Sequence, residues 1–143
     1  MKIINHTPLS IAVIAGRTAW QSFHKGGNYT KQTNDITKDD YDFLYRLFNK
    51  YKHLSVAEHI YFNVEVETSP INLLLLKDNY VILSFETIDI NKVKAYITIN
   101  LRTIIERKND VYFKWFYDKF IKTDINNKIL SLIKGENNEW NKF

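Results

Sequence analysis

The sequence predicts one α/β (α+β) domain in which helices flank a central mixed sheet. Three observations support this fold class. The 143 residues suit a single domain, 1–143, that buries roughly two-thirds of its unfolded surface. Residues 60–67 alternate between apolar and polar side chains, which is typical of a strand with one buried face. Segments on both sides of this strand repeat apolar side chains at helical spacing.

Two helices are predicted before this strand. Residues 9–23 form an apolar segment that begins after Pro8, and residues 38–52 carry a stripe of aromatic and aliphatic side chains. Thr37 and Asp40 resemble a capping box in which Asp replaces the usual Glu. The stretch HKGGNYTKQTND between the helices is rich in turn formers, so it predicts a loop.

The remaining elements are shorter. Strands are predicted at residues 2–5, 79–85 and 93–99, and helices at residues 100–108, 112–122 and 125–134. The run INLLLL fits either a buried strand or one turn of helix. Gly135 is predicted to end the last helix, and the closing NNEWNKF is predicted to fray.

Composition limits the chemistry of the chain. There is no cysteine, which excludes disulfides, thiolate metal ligands and cysteine nucleophiles. The net charge is +4 and the lysines are scattered, a pattern that does not favour nucleic-acid binding. Residues 1–23 carry no signal-peptide pattern, and the longest apolar run, Leu73 to Leu76, is too short for a membrane span. We therefore expect a soluble, cytoplasmic protein.

The run KHLSVAEH places His53, Ser55, Glu58 and His59 close together. The spacing of the two histidines matches no zinc template, so no metal site is predicted. Ser55 lies in no G-x-S-x-G elbow, and no catalytic residue is assigned. Ser55 and Glu58 fit a capping box at a helix start, although such a helix start also attracts phosphates. The structural and the functional interpretations both remain open.

Three other polar residues occupy positions where ligands are often bound. Arg17 lies in an otherwise apolar predicted helix, so its charge must pair with an acid of the chain or line a cleft. Asn100 and Arg102 stand where a predicted strand runs into a helix, which is a common ligand position in α/β sheets. The alternative for Asn100 is a helix N-cap.

Three stretches together resemble the flavin-dependent thymidylate synthases. HTPLSIAVIAGRTAWQSF is similar to the amino-terminal helix of that family, with its R-T-x-W-Q-S-F variant. KHLSVAEHIYFNVEVE resembles the family's H-x-[S/T]-x-x-E-H followed by an alternating strand, and AYITINLRTIIE resembles its late strand and helix. The order of the three stretches agrees with the family, and the resemblance covers about half the chain.

The resemblance implies a protein that makes dTMP from dUMP with FAD, NADPH and methylene-tetrahydrofolate. It also implies a homo-oligomer, typically a homotetramer, with active sites built from several subunits. The cofactor-binding residues implied by the resemblance are His53, Ser55, Glu58, Asn100 and Arg102. The substrate-binding residues that it implies are Arg17 and Arg107.

The sequence also departs from the family. The family signature, R-H-R followed after seven residues by serine, is absent, and the corresponding place reads SPINLLLLKDNYVILSFE. In the family those arginines bind flavin and nucleotide and polarise the uracil. Glu106 stands where the family places an asparagine, and its negative charge would repel a nucleotide phosphate.

We therefore expect a shortened homologue that binds FAD or another nucleotide and methylates dUMP little or not at all. One alternative is an active enzyme in which Arg17, Arg102 and Arg107 take over the anion contacts. The other alternative is a non-catalytic interaction or regulatory protein that uses the same scaffold.

Overall fold

A computed structural model describes residues 1–136 as two compact units. Residues 1–6 and 61–125 form the first, which we call the sheet unit. Residues 7–60 and 126–136 form the described part of the second, which we call the helical unit. That the chain is a single domain stays a prediction, and the segment NNEWNKF lies outside the described residues.

The sheet unit contains, within residues 1–136, a four-stranded antiparallel sheet in the order β1-β2-β4-β3. Its strands are β1 (Lys2–His6), β2 (Tyr61–Thr68), β3 (Ile82–Asp89) and β4 (Lys92–Asn100). The predicted alternation of β2 is confirmed because Phe62, Val64 and Val66 are buried while Tyr61 and Glu67 are exposed.

The predicted fold class is confirmed, but the prediction of a mixed sheet is wrong. All strand pairings among residues 1–136 are antiparallel. Residues 90–91 join β3 directly to β4, and so short a connection permits only an antiparallel hairpin. Strand β3 also begins later than predicted, because Asp78 Oδ1 accepts the Tyr80 amide (2.7 Å) and holds a turn before the strand.

Three helices accompany the sheet in this unit over residues 70–120: α3 (Pro70–Leu76), α4 (Leu101–Arg107) and α5 (Lys114–Phe120). The ambiguous run INLLLL is helical, because Ser69 caps α3 and Pro70 occupies its first turn. Phe116 and Phe120 of α5 are fully buried. The Phe120 ring meets the Phe62 ring edge-on, with 5.1 Å between the centroids, so α5 covers the buried face of β2.

The helical unit is built from α1 (Leu9–Ala19), α2 (Lys38–Tyr45) and α6 (Asn127–Lys134). Helix α2 continues as a π-helical turn, Arg46–Lys50. The Thr37 half of the predicted capping box is confirmed because Thr37 Oγ1 accepts the Asp40 amide, whereas the Thr37 amide donates to the Tyr29 hydroxyl and not to Asp40. Gly135 ends α6 as predicted, in the left-handed conformation with φ 72°. A hydrogen bond between the hydroxyls of Tyr41 and Ser131 joins α2 to α6.

The start of α6 provides a matched test of helix capping. The Asn126 side chain accepts the backbone amides of Lys128 (2.9 Å) and Ile129 (3.4 Å), whereas Asn127 is exposed on the first turn. We expect Asn126→Ala to lower the free energy of unfolding by about 1 kcal/mol. Asn127→Ala should change it by less than about 0.5 kcal/mol. Urea denaturation of both variants measures this, and equal losses would contradict the capping assignment.

Candidate ligand-binding site

Arg17 of α1 is buried in an ion pair. Arg17 is only 3% exposed, and its Nη2 lies 3.0 Å from Asp40 Oδ1. Arg17 Nη1 donates to Ser22 Oγ at 3.3 Å, and the guanidinium carbon lies 3.9 Å from the centroid of the Phe43 ring. Pairing with an acid and lining a cleft were the two interpretations open from the sequence, and both are observed: Arg17 is paired with Asp40 and also lines a cleft.

Asp40 binds the loop between α1 and α2 as well as Arg17. Its Oδ2 accepts the Gly27 amide at 3.1 Å and the Tyr29 hydroxyl at 2.5 Å. Burial favours a higher pKa for Asp40, but the hydrogen bonds from Tyr29, Arg17 and Gly27 outweigh it, so the Asp40 pKa is lowered. Burial, reinforced by the hydrogen bond to Asp40, raises the Tyr29 pKa.

The Gly26-Gly27 pair allows the loop to approach this ion pair. Gly27 has φ 84°, a conformation that favours glycine, and a Cβ there would lie 2.8 Å from Arg17 Cγ. A Cβ at Gly26 would lie 2.2 Å from Asp40 Oδ1. The two glycines are therefore explained by close backbone packing against Arg17 and Asp40.

The run KHLSVAEH lies in the helical unit, where His53, Ser55 and Glu58 are all exposed. Val56–His59 form a short 3₁₀ turn instead of an α-helix start. The predicted capping box is wrong: Ser55 has helical backbone angles (φ −59°, ψ −34°), and its side chain makes no capping bond. The Glu58 amide donates instead to the Ser55 carbonyl at 3.2 Å, as expected in a 3₁₀ turn.

His53 belongs to an aromatic group that was not predicted from the sequence. Its ring meets Trp20 edge-on with 5.7 Å between centroids and lies 6.4 Å from the Tyr51 ring. Trp20 and Tyr51 also line a cleft of about 300 Å³ together with Arg17, Lys25 and Arg46. Arg17, in its otherwise apolar helix, was a sequence signal for a cleft, but the other residues come from separate segments and form no motif, so they were not predicted.

In the sheet unit, the predicted ligand residues make intramolecular bonds. Asn100 caps α4, because its Oδ1 accepts the Thr103 amide (2.8 Å) and the Thr103 hydroxyl (3.0 Å). Arg102 Nε lies 2.7 Å from Glu106 Oε1. The N-cap alternative for Asn100 is therefore confirmed.

Arg107 binds the carboxyl end of α3. Its Nη1 donates to the Leu76 carbonyl (2.8 Å) and to Asp78 Oδ2 (3.0 Å), and its Nη2 donates to the Leu75 carbonyl (3.0 Å). A cation that binds the last carbonyls of a helix satisfies groups that the helix itself leaves unpaired. The observed contacts of Arg107 are thus those of a helix-capping residue.

The predicted site residues are divided between the two units. Arg17, His53, Ser55 and Glu58 lie in the helical unit, where Arg17 shares the cleft with the aromatic neighbours of His53. Asn100, Arg102 and Arg107 lie in the sheet unit. Their ligand-binding roles stay predictions.

Two further features bear on the class of protein. No set of three or more metal-ligating side chains comes together in the part of the chain that the structure describes. Over the same residues, no helix combines the length and apolarity needed to cross a bilayer.

The fold and the H-x-S-x-x-E-H run before β2 define an α+β protein of the flavin-dependent thymidylate synthase class. The family model described as thymidylate synthase complementing protein, Thy1, matches residues 2–74, which is half of the 143 residues. The chain belongs to this family.

Individual relatives and solved structures agree with this assignment. A flavin-dependent thymidylate synthase from Helicobacter pylori is 38% identical over 63 residues, covering 44% of this chain and 27% of the relative. The corresponding enzyme from Campylobacter jejuni is 35% identical over 65 residues, covering 46% and 28%. The matched segment thus spans about a quarter of the length of these curated relatives.

A crystal structure of the flavin-dependent thymidylate synthase ThyX from Helicobacter pylori, complexed with FAD and dUMP, has a similar fold. The TM-score is 0.72 at 15% identity, with 92% of this chain and 96% of that chain covered. A second such structure from the same organism gives 0.71 at 16% identity, with the same coverage. At these identities the likeness establishes the fold.

The Asp40 network predicts a specific pH dependence. Because the folded-state pKa of Asp40 lies below its usual 3.8, the unfolded chain binds more protons in that range, and stability rises with pH. The contribution of Asp40 should be complete well above pH 3.8 and should be lost as the pH falls through the folded-state pKa.

Asp40→Asn and the exposed control Asp39→Asn test this network. We expect Asp40→Asn to cost about 3 kcal/mol of unfolding free energy at neutral pH, because it leaves the buried Arg17 charge uncompensated. Its deficit relative to wild type should narrow on acidification, while Asp39→Asn should follow wild type. Urea denaturation as a function of pH measures both effects, and a deficit that does not change with pH would contradict the assignment.

Proposed function

We propose that the chain is a flavin-dependent thymidylate synthase homologue that binds FAD or a nucleotide and has lost most or all dUMP methylation. One observation carries this proposal: the three arginines expected to take over the anion contacts of R-H-R are each paired with an acid of the same unit. The pairs are Arg17 with Asp40, Arg102 with Glu106, and Arg107 with Asp78.

The engaged arginines weigh against the alternative of an active enzyme with a rearranged site. Freeing Arg17 would break a buried ion pair, which costs about 3–5 kcal/mol. Arg107 would also have to abandon the Leu75 and Leu76 carbonyls. Preorganised positive charge is a main source of rate in reactions that develop negative charge, and one such donor is worth about 10²–10³-fold. A site without these donors would therefore be slow.

The helical unit supports the flavin part of the proposal. The Ser55 hydroxyl makes no capping bond, and His53 is exposed beside it in sequence, so both side chains are available to a ligand. A serine hydroxyl and an imidazole suit the phosphate and ring edges of a flavin nucleotide. FAD would supply the hydride chemistry when bound, and His53, Ser55 and Glu58 would bind and orient it.

We also propose that the chain is homo-oligomeric, with a tetramer implied by the family. Large apolar side chains on α3 and β3 support this: Ile71 is 68% exposed, Leu74 72%, Ile82 71% and Phe85 56%. Exposed apolar groups in such number are typical of surfaces that bind a protein partner. A second copy of this chain is the partner we propose.

An absorbance spectrum of the purified protein, followed by a turnover assay, tests the proposal. We expect flavin absorbance and no dTMP when NADPH, methylene-tetrahydrofolate and dUMP are added. Ser55→Ala should weaken FAD binding about tenfold, because it removes one hydrogen bond to a charged group. The control Thr30→Ala, which removes an exposed hydroxyl from the loop between α1 and α2, should leave it unchanged.

Three outcomes would contradict parts of the proposal. A colourless protein whose thermal unfolding does not respond to FAD or dUMP would contradict ligand binding and favour a non-catalytic interaction protein. Robust dTMP formation would contradict the loss of methylation. A monomeric mass by light scattering would contradict the proposed assembly.

A further inference from the structure

The cleft beside Trp20 has the composition of a binding site for an aromatic anion. We call it the Arg46 cleft; it is lined by Trp20, Lys25, Phe43, Arg46 and Tyr51, with Arg17 also in its lining. Its volume of about 300 Å³ is within the range of small-molecule sites. The charged side chains that line it are all cationic.

Two of these cations are available to a ligand. Arg17 is compensated by Asp40, but Lys25 and Arg46 are exposed and pair with no acid among residues 1–136. An adjoining depression of about 360 Å³ shares all three cations and is also lined by Asp39 and Asp42. Arg46 offers the planar fork that binds phosphate in a bidentate manner.

The aromatic wall is unusually exposed. Trp20 is 53% exposed and Tyr51 is 51% exposed. Lys50 Nζ lies 5.4 Å from the centroid of the Tyr51 ring, which already gives that ring a cationic neighbour. The Trp20 ring stands at 88° to the His53 ring, with 5.7 Å between the centroids, and about half of Trp20 remains exposed for stacking.

The backbone adopts uncommon conformations next to the residues that line the cleft. Within the described range, the non-glycine residues with positive φ are Gln21 (50°) and Lys52 (57°). They directly follow Trp20 and Tyr51, and Arg46 begins the π-helical turn. Such conformations are costly and cluster at functional sites, where they fix the direction of side chains. Three local irregularities of the backbone thus lie at or next to residues that line one cleft.

We propose that the Arg46 cleft binds a mononucleotide, with the phosphate against Arg46 and Lys25 and the base stacked on Trp20. This inference rests on the nucleotide binding proposed above and assigns it to residues outside the flavin-side set of His53, Ser55 and Glu58. Phosphate binding by the two cations and base stacking on an indole are chemically separable contributions.

Calorimetric titration of the full chain with dUMP, and with uridine as the phosphate-free probe, tests this assignment. Wild type should bind dUMP more tightly than uridine. Arg46→Ala should weaken dUMP about tenfold and leave uridine unchanged, because it removes a charge-assisted hydrogen bond. Trp20→Leu should weaken both ligands about tenfold through the lost stacking. Lys31→Ala, which removes an exposed loop charge outside the cleft, should match wild type.

Flavin absorbance is measured on the same samples, so that dUMP binding in the cleft and flavin binding are judged separately. Equal dUMP affinity in wild type, Arg46→Ala and Trp20→Leu would overturn the cleft assignment, as would the absence of dUMP binding, even if the protein carries flavin. A protein without flavin whose dUMP binding depends on Arg46 and Trp20 would support the cleft and contradict the flavin part of the proposed function. Circular dichroism of the variants confirms that they are folded.

Discussion

A guanidinium with 3% exposure must be compensated, and the helical unit is organised around the group that compensates it. Asp40 meets Arg17 and at the same time receives the Tyr29 hydroxyl and the Gly27 amide. One carboxylate thus ties α1, α2 and the loop between them. The Gly-Gly pair lets the loop backbone come close enough to bind Asp40. The cap at Thr37 fixes the helix turn that carries Asp40.

The same pair determines which cations can act on a ligand. Arg17 comes from the stretch that most resembles the family's first helix, yet its charge is already committed to Asp40. In the sheet unit, Arg102 and Arg107 are likewise bound by Glu106 and Asp78. Without R-H-R, Lys25 and Arg46 supply exposed positive charge in the cleft that Trp20 and Tyr51 line. The proposed loss of dUMP methylation and the proposed nucleotide site both follow from this distribution of charge.

Features encoded within a few residues were predictable from the sequence. The alternation of β2, the caps at Thr37 and Asn100 and the stop at Gly135 depend on local hydrogen bonds or side-chain period, and all were confirmed. The direction of strand pairing was not predictable from the pattern that assigned the strands. The Ser55 cap failed because KHLSVAEH forms a 3₁₀ turn, in which the hydroxyl does not meet the amide. The full lining of the cleft was not predictable because its residues are distant in sequence and come together only in the fold.

The central claim is that the Arg17 charge belongs to the fold of the helical unit, and a double-mutant cycle tests it most directly. Arg17→Met and Asp40→Leu each leave a buried charge uncompensated, so each should cost about 3 kcal/mol or more of unfolding free energy. The double variant leaves neither charge, and its cost should fall short of the sum of the single costs by about 2 kcal/mol. Costs that add within about 0.5 kcal/mol would show that the two charges do not depend on each other and would contradict the account.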